Sequence, residues 1–179
     1  MSMAASRHLS DMARHAIIMG VAGCGKTSVG EGLSRLTGIR FMDGDALHSK
    51  ENIARMSEGI PLTDSDRWPW LEAIGNEFAQ SPEPLVIGCS ALKRSYRDRI
   101  RQHAGTPVCF IHLTGSREVI GQRMRNRRNH FMPPTLLDSQ FATLESPGAD
   151  EESIAIDIDQ PLDAIVALAA RYLEGQDHD

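Results

Sequence analysis

Eight residues constrain this chain more than any others. Gly20-Val21-Ala22-Gly23-Cys24-Gly25-Lys26-Thr27 fits G-x-x-x-x-G-K-[ST], a phosphate-binding loop. The apolar run His15-Ala16-Ile17-Ile18-Met19 before it reads as a short buried strand. Val29, Leu33 and Leu36 after it fall at i, i+4 and i+7, the spacing of a helix. A glycine-rich loop between a strand and a helix curls so that successive N–H groups converge on one anion. The helix N-terminus adds its partial positive charge. In such a loop Lys26 reaches the β- and γ-phosphates of a nucleotide, and Thr27 places a hydroxyl on Mg²⁺. All eight residues, Gly20, Val21, Ala22, Gly23, Cys24, Gly25, Lys26 and Thr27, are therefore candidates to hold ATP.

Bulk properties exclude several alternatives. The chain has 179 residues, enough for one domain with a real core, placed here at residues 15–175. A formal charge of -5 argues against a general nucleic-acid binder, although basic residues cluster between Arg117 and Arg128. The three cysteines, Cys24, Cys89 and Cys109, are odd in number and lack C-x-x-C spacing. They form no disulfide or zinc framework and fit a reducing cytoplasm. No apolar run approaches a membrane span, so no membrane partner is expected. Residues 1–14 are polar, small and aperiodic, and read as a disordered extension or an expression remnant. Residues 176–179 read as a polar tail.

Along the chain, apolar runs alternate with helix-compatible stretches, the pattern of an α/β fold with a parallel sheet. Residues 39–42, 85–89, 108–113 and 153–158 read as the further strands. Asp43-Gly44-Asp45 falls just past the second strand, at the sheet edge where ligands bind in open α/β folds. One carboxylate, Asp43, would hold water around Mg²⁺, and the other, Asp45, would take a proton from a substrate hydroxyl. The competing reading is an Asp-Gly turn that caps the next helix. Residues 46–56 read as that helix, with His48 three residues after Asp45 and aimed by the same turn at substrate. Thr63-Asp64-Ser65-Asp66 resembles a capping box and opens a helix whose Trp68, Trp70, Leu71, Ile74 and Phe78 form a core or partner face.

The third strand ends in Cys89 and Ser90, where many phosphate-loop proteins carry a metal-side Asp. Mg²⁺ would then lean on Thr27, the phosphates and Asp43. Lys93 and Arg97, four residues apart on one helix face, are candidates to grip an anionic substrate. Arg99 and Arg101 read as a solvated face. Arg123, Arg125, Arg127 and Arg128 lead into Asn129-His130-Phe131-Met132-Pro133-Pro134, and a further amphipathic helix follows. This helix–basic loop–helix, residues 123–136, reads as a mobile lid whose Arg123 and Arg127 close on ATP. A surface loop with acidic or RNA partners is the competing reading.

Taken together, these residues resemble the small phosphate-loop gluconokinases. The matching pieces are Gly20 to Thr27, Phe41-Met42-Asp43-Gly44-Asp45-Ala46-Leu47-His48, Gly59-Ile60-Pro61-Leu62-Thr63-Asp64, Asp66-Arg67-Trp68-Pro69-Trp70-Leu71, Cys89-Ser90-Ala91-Leu92-Lys93, Tyr96-Arg97-Asp98, His130-Phe131, Ser139-Gln140-Phe141 and Asp157-Ile158-Asp159-Gln160-Pro161-Leu162. They span about residues 15–173. The resemblance implies transfer of the ATP γ-phosphate to the 6-hydroxyl of D-gluconate. It also implies a nucleoside-monophosphate-kinase-like fold, a five-stranded parallel sheet in a three-layer arrangement, and commonly a homodimer. Two departures stand out. Cys24 replaces the Ser or Ala frequent in such loops, with its thiol expected to point away from phosphate and to be open to oxidation. Asn129 stands where glycine is frequent, a residue that tolerates left-handed angles.

The expected division of labour follows. Lys26, Asp45 and Arg127 are the catalytic candidates, and Asp45, His48, Lys93 and Arg97 hold the sugar acid. Rival readings are another small-molecule kinase of the same fold, acting on shikimate or a nucleotide, and a non-catalytic ATP-binding module. A regulatory GTPase would need an Asn-Lys-x-Asp motif, and the sequence has no Asn-Lys pair.

Overall fold

The structure, a computed structural model, describes residues 14–126 and 134–175. The chain runs β1 (His15–Met19), α1 (Lys26–Thr37), β2 (Arg40–Asp43), a 3-10 turn (Gly44–Leu47), α2 (Lys50–Ser57), α3 (Asp64–Gln80), β3 (Leu85–Gly88), α4 (Arg94–Ala104), β4 (Val108–Thr114), α5 (Arg117–Arg125), α6 (Pro134–Thr143), β5 (Ser153–Asp157) and α7 (Leu162–Leu173). The five strands form one parallel sheet in the order β2-β3-β1-β4-β5. Strands of a parallel sheet are covered on both faces and therefore read as continuous apolar runs. β3 is buried at every position, and β1 at all but His15.

The alternation of side chains along β1 sorts the helices into two layers. Ile17 and Met19 face a cluster with Trp70, Leu71, Ile74 and Phe78 of α3 and Tyr96 and Ile100 of α4. Ala16 and Ile18 face the other cluster, with Val29 and Leu33 of α1, Ile120 of α5 and Ile165, Val166 and Ala169 of α7. The aromatic stripe of α3 is thus core. Trp68 is the exception, half-buried with the Arg99 guanidinium 4.7 Å from its ring centre.

Register sets the working edge. Gly88 of β3 stands opposite both Ile18 of β1 and Asp43 of β2, so three strands finish level at their carboxyl ends. The loop after β1, the turn after β2 and the segment after β3 meet there, where the chain switches sides of the sheet.

One expected element differs. The single helix over residues 46–56 is split into the 3-10 turn and α2. Asp43 accepts the Asp45 N–H at 3.0 Å, and Ser49 accepts the Asn52 N–H at 3.1 Å, so each piece carries its own cap. The capping box on α3 is present in full, with Asp66 closing back on the Thr63 N–H at 2.9 Å. The terminal segments, residues 1–13 and 176–179, and the lid residues 127–133 lie outside the described residues. Among the described residues no helix is long and apolar enough to cross a membrane.

Candidate functional site

The loop from Gly20 to Gly25 is held by its glycines and by its neighbours. Gly23 and Gly25 have φ of +80° and +97°, in the left-handed region that favours glycine. Gly25 is the cap residue of α1 and offers no side chain to the first helical turn. By contrast α2, α3 and α5 are each capped by a Ser or Thr hydroxyl. The N-terminus of α1 therefore presents N–H groups and dipole to an incoming anion. Lys26 Nζ lies over the loop, 3.0 Å from the Gly20 carbonyl and 3.2 Å from the Val21 carbonyl. Thr27 is exposed at the helix start. Cys24 is buried in the core behind the loop, as its orientation required, and its burial shields the thiol that was expected to be oxidisable.

On one side of the loop a cleft of about 380 Å³ runs between α1, α5 and α7. Gly23, Gly25, Ser28, Arg123 and Leu162 line it. Arg123 donates to the Ile158 carbonyl at 2.5 Å, which aims its guanidinium along this cleft. A second cleft, near 460 Å³, lies between Thr37, Arg40 and Pro84, at the amino ends of β2 and β3 and away from the loop.

On the other side stand Asp43 and Asp45. The Asp45 carboxyl is held above the usual carboxylate range, first by partial dehydration, then by the charge of Asp43, with Lys26 opposing both. The turn that carries them is fixed from below. A Cβ on Gly44 would meet the Gly88 carbonyl at 2.5 Å, so only glycine fits, and Trp70 Nε1 donates to the Gly44 carbonyl at 2.8 Å. His48 is buried and stacks on Trp70, ring centres 4.0 Å apart. Burial and the nearby Arg67 charge bring its pKa down to about 4, so it is neutral at physiological pH.

Lys93 joins a separate polar group built on α3 and α4. Its ammonium sits 3.2 Å from Asp64, which also accepts from Tyr96 at 2.5 Å. Arg67 joins the group, donating to the Leu62 carbonyl at 2.8 Å and to the Tyr96 hydroxyl at 3.2 Å. Sequence reasoning gave Arg67 and Tyr96 no role. The available signal was Arg67 in the first turns of a capped helix, one turn after Asp64.

Arg97 is a correction. It was expected to grip substrate through its i, i+4 relation to Lys93, but it is fully buried. Its guanidinium pairs with both Glu151 carboxylate oxygens at 2.8 and 3.1 Å and donates to the Ala91 carbonyl at 2.8 Å. Ala91 has φ of +46°, a left-handed angle costly for a residue with a Cβ, so Arg97 braces a strained bend in the Cys89-to-Lys93 segment. Arg101, expected on a solvated face, donates to Glu151 at 2.7 Å. Arg127 lies outside the described residues.

The donors near the loop suit Mg²⁺. Thr27 supplies a hydroxyl and Asp43 an exposed carboxylate, both hard oxygen ligands. Among the described residues no three His, Cys, Asp or Glu converge as an all-protein metal cage. Cys89, whose thiol burial pushes up to about 12, is no ligand or nucleophile at neutral pH.

Comparison with known proteins adds independent findings. A family model described as an AAA domain matches residues 16–147. The chain is 41% identical over 167 residues to a gluconokinase of Gluconobacter oxydans (strain 621H), covering 92% of this chain and 93% of that protein. It is 47% identical over 151 residues to the thermosensitive gluconokinase of Escherichia coli (strain K12), covering 82% and 80%. The crystal structure of a gluconokinase from Sinorhizobium meliloti 1021 superposes with a TM-score of 0.80 at 49% identity, covering 93% of this chain and 99% of that one.

Proposed function

This chain belongs to the gluconokinase family, and from that premise we propose that it transfers the γ-phosphoryl group of ATP to the 6-hydroxyl of D-gluconate, giving 6-phospho-D-gluconate and ADP. The observation that carries the reading is one edge of the sheet, where a phosphate loop with an uncapped helix start faces an aspartate of raised pKa. Phosphoryl transfer needs those two things together, electrostatic cover for the phosphates and a group that orients or deprotonates the acceptor hydroxyl.

The proposed roles follow from position. The loop N–H groups and Lys26 hold the β- and γ-phosphates and neutralise charge that builds as the γ-phosphorus leaves ADP. Asp45 orients the 6-hydroxyl and accepts its proton as the new oxygen–phosphorus bond forms. A raised pKa strengthens it as a base. Lys93 and Arg67 bind the gluconate carboxylate, with Asp64 and Tyr96 holding both cations in place beforehand. Neutral His48 hydrogen-bonds the polyol hydroxyls. Arg123 lies against the nucleotide, and Arg127 of the lid, residues 123–136, completes the phosphate cover. Thr27 and Asp43 would hold Mg²⁺. When bound, the ion screens the β- and γ-phosphate charge. Residues 15–175 act as a single kinase domain, working as a cytoplasmic homodimer without nucleic-acid or membrane partners.

Phosphorus NMR of the product tests the reading. A phosphomonoester coupled to the C6 protons of gluconate is expected. A phosphate on another carbon, or ADP release without a phosphorylated sugar acid, refutes it.

A further inference from the structure

Gln140 has no part in the site as described so far, yet it touches the phosphate loop. It lies on α6, 118 residues beyond Ala22, and its Oε1 accepts the Ala22 N–H at 2.6 Å. In a trans peptide the C=O and the following N–H point to opposite sides. The Val21 carbonyl of that same peptide receives Lys26 Nζ at 3.2 Å. The Val21–Ala22 peptide is therefore gripped on both sides, by the lysine ammonium on one and by the Gln140 oxygen on the other. With the N–H committed to Gln140, the carbonyl cannot turn away from Lys26.

α6 is a firm platform for this contact. Leu137 is buried in the core, and Phe141 packs against it. Just past the helix, Glu145 donates its N–H to the Leu92 carbonyl at 2.8 Å and accepts the Arg94 N–H at 2.9 Å. One short helix is thus fastened to the phosphate loop at one point and to the segment carrying Lys93 at another. The Gln140 Nε2 has no partner among the described residues, so the amide is held through its oxygen alone.

We propose that Gln140 is a positioning residue for the nucleotide. By holding the Ala22 N–H it fixes the Val21–Ala22 peptide, and through that peptide the direction of the Lys26 side chain. Without it the peptide is free to rotate, and Lys26 must be reordered by each incoming ATP. The proposal rests on the kinase reading above, but it concerns the nucleotide half of the site alone.

Two variants separate positioning from packing. Gln140→Met keeps length and apolar stem but removes the acceptor. Gln140→Glu keeps an acceptor oxygen at the same reach. Proton–nitrogen NMR on the nucleotide-free protein reads the Ala22 amide directly, and calorimetry with ADP reads affinity without any acceptor substrate. The Ala22 amide proton is expected to move upfield in Gln140→Met and to stay downfield in Gln140→Glu. ADP affinity in Gln140→Met is expected to fall roughly five- to tenfold, the size of one lost hydrogen bond, and KM for ATP to rise with it while KM for the sugar acid stays within twofold. An unmoved Ala22 resonance in Gln140→Met overturns the proposal. So does a loss shared equally by both substrates together with a lowered unfolding midpoint. A protein that binds ADP but does not turn over D-gluconate would refute the acceptor assignment and leave this test intact.

Discussion

Replacing Arg97 by Met tests the difference between the linear pattern and the folded chain. Arg97 is wholly enclosed and makes a two-pronged ion pair with Glu151, whose side chain is only 1% exposed. Removing Arg97 leaves Glu151 with only Arg101 and the Gly148 N–H, and breaking such a buried pair costs up to ~3–5 kcal/mol. For a domain of this size about 1 kcal/mol moves the unfolding midpoint ~2–4 °C, so Arg97→Met should lower it by roughly 10 °C. The Glu151 carboxyl reports the whole network around it. Burial alone would raise its pKa, but hydrogen bonds from Arg97, Arg101 and the Gly148 N–H overcome that and bring it to about 2, from 4.5. A depressed carboxylate stabilises the fold above its unfolded pKa, and the gain is lost as pH falls from about 4.5 toward about 2. Thermal unfolding followed by circular dichroism between pH 3 and 7 is the assay, with initial rates in parallel. Arg97→Met should be destabilised at pH 7 and show a shallower acid loss. Arg97→Met/Glu151→Gln, which no longer buries a carboxylate missing its two-pronged partner, should recover about half. An unchanged midpoint with a tenfold or larger rise in KM for D-gluconate would refute the bracing role and return Arg97 to the substrate.

Asp45→Asn should lower kcat by ~10²–10⁴, the range for removing a positioned general base, with KM for ATP little changed. In the parent protein kcat/KM should fall as pH drops through the Asp45 pKa, and the acid limb should lie above 3.8 because that pKa is raised; a limb at or below 3.8 counts against it. His48 should stay neutral in a histidine NMR titration until pH approaches about 4. Because its folded pKa lies below 6.5, its linked stability is full above pH 6.5 and is lost as pH falls from there toward about 4; protonation near 6.5 in the folded protein would contradict the buried stack on Trp70. Gly44→Ala should lower both stability and kcat, since its Cβ collides with the Gly88 backbone and displaces the turn bearing Asp45; wild-type rates in that variant would show the turn to be more pliable than its packing implies.

What was legible in the sequence was local. The phosphate loop, the strand before it, the capping box at Thr63 and the apolar face of α7 all rest on residues within one or two turns of each other. The break after Leu47 was also within reach, since Ser49 is a good cap residue three positions before Asn52. The role of Arg97 was not. Its partner Glu151 lies 54 positions away, and the i, i+4 relation to Lys93 was real but did not decide which way the longer side chain turned. The Gln140 contact spans 118 positions, so the Ser139-Gln140-Phe141 piece alone could not show that it meets the phosphate loop. Arg67 and Tyr96 became visible as a pair with Lys93 only once α3 and α4 packed together around the close approach at Gly75.

The central claim is the identity of the acceptor. A coupled ADP-release assay with Mg-ATP and a panel of D-gluconate, other aldonates, shikimate, nucleoside monophosphates and no acceptor tests it most directly. Turnover with D-gluconate at least a hundredfold above every unrelated acceptor is the expected result. Nucleotide binding without gluconate turnover, or a preference for shikimate or a nucleoside monophosphate, would contradict it.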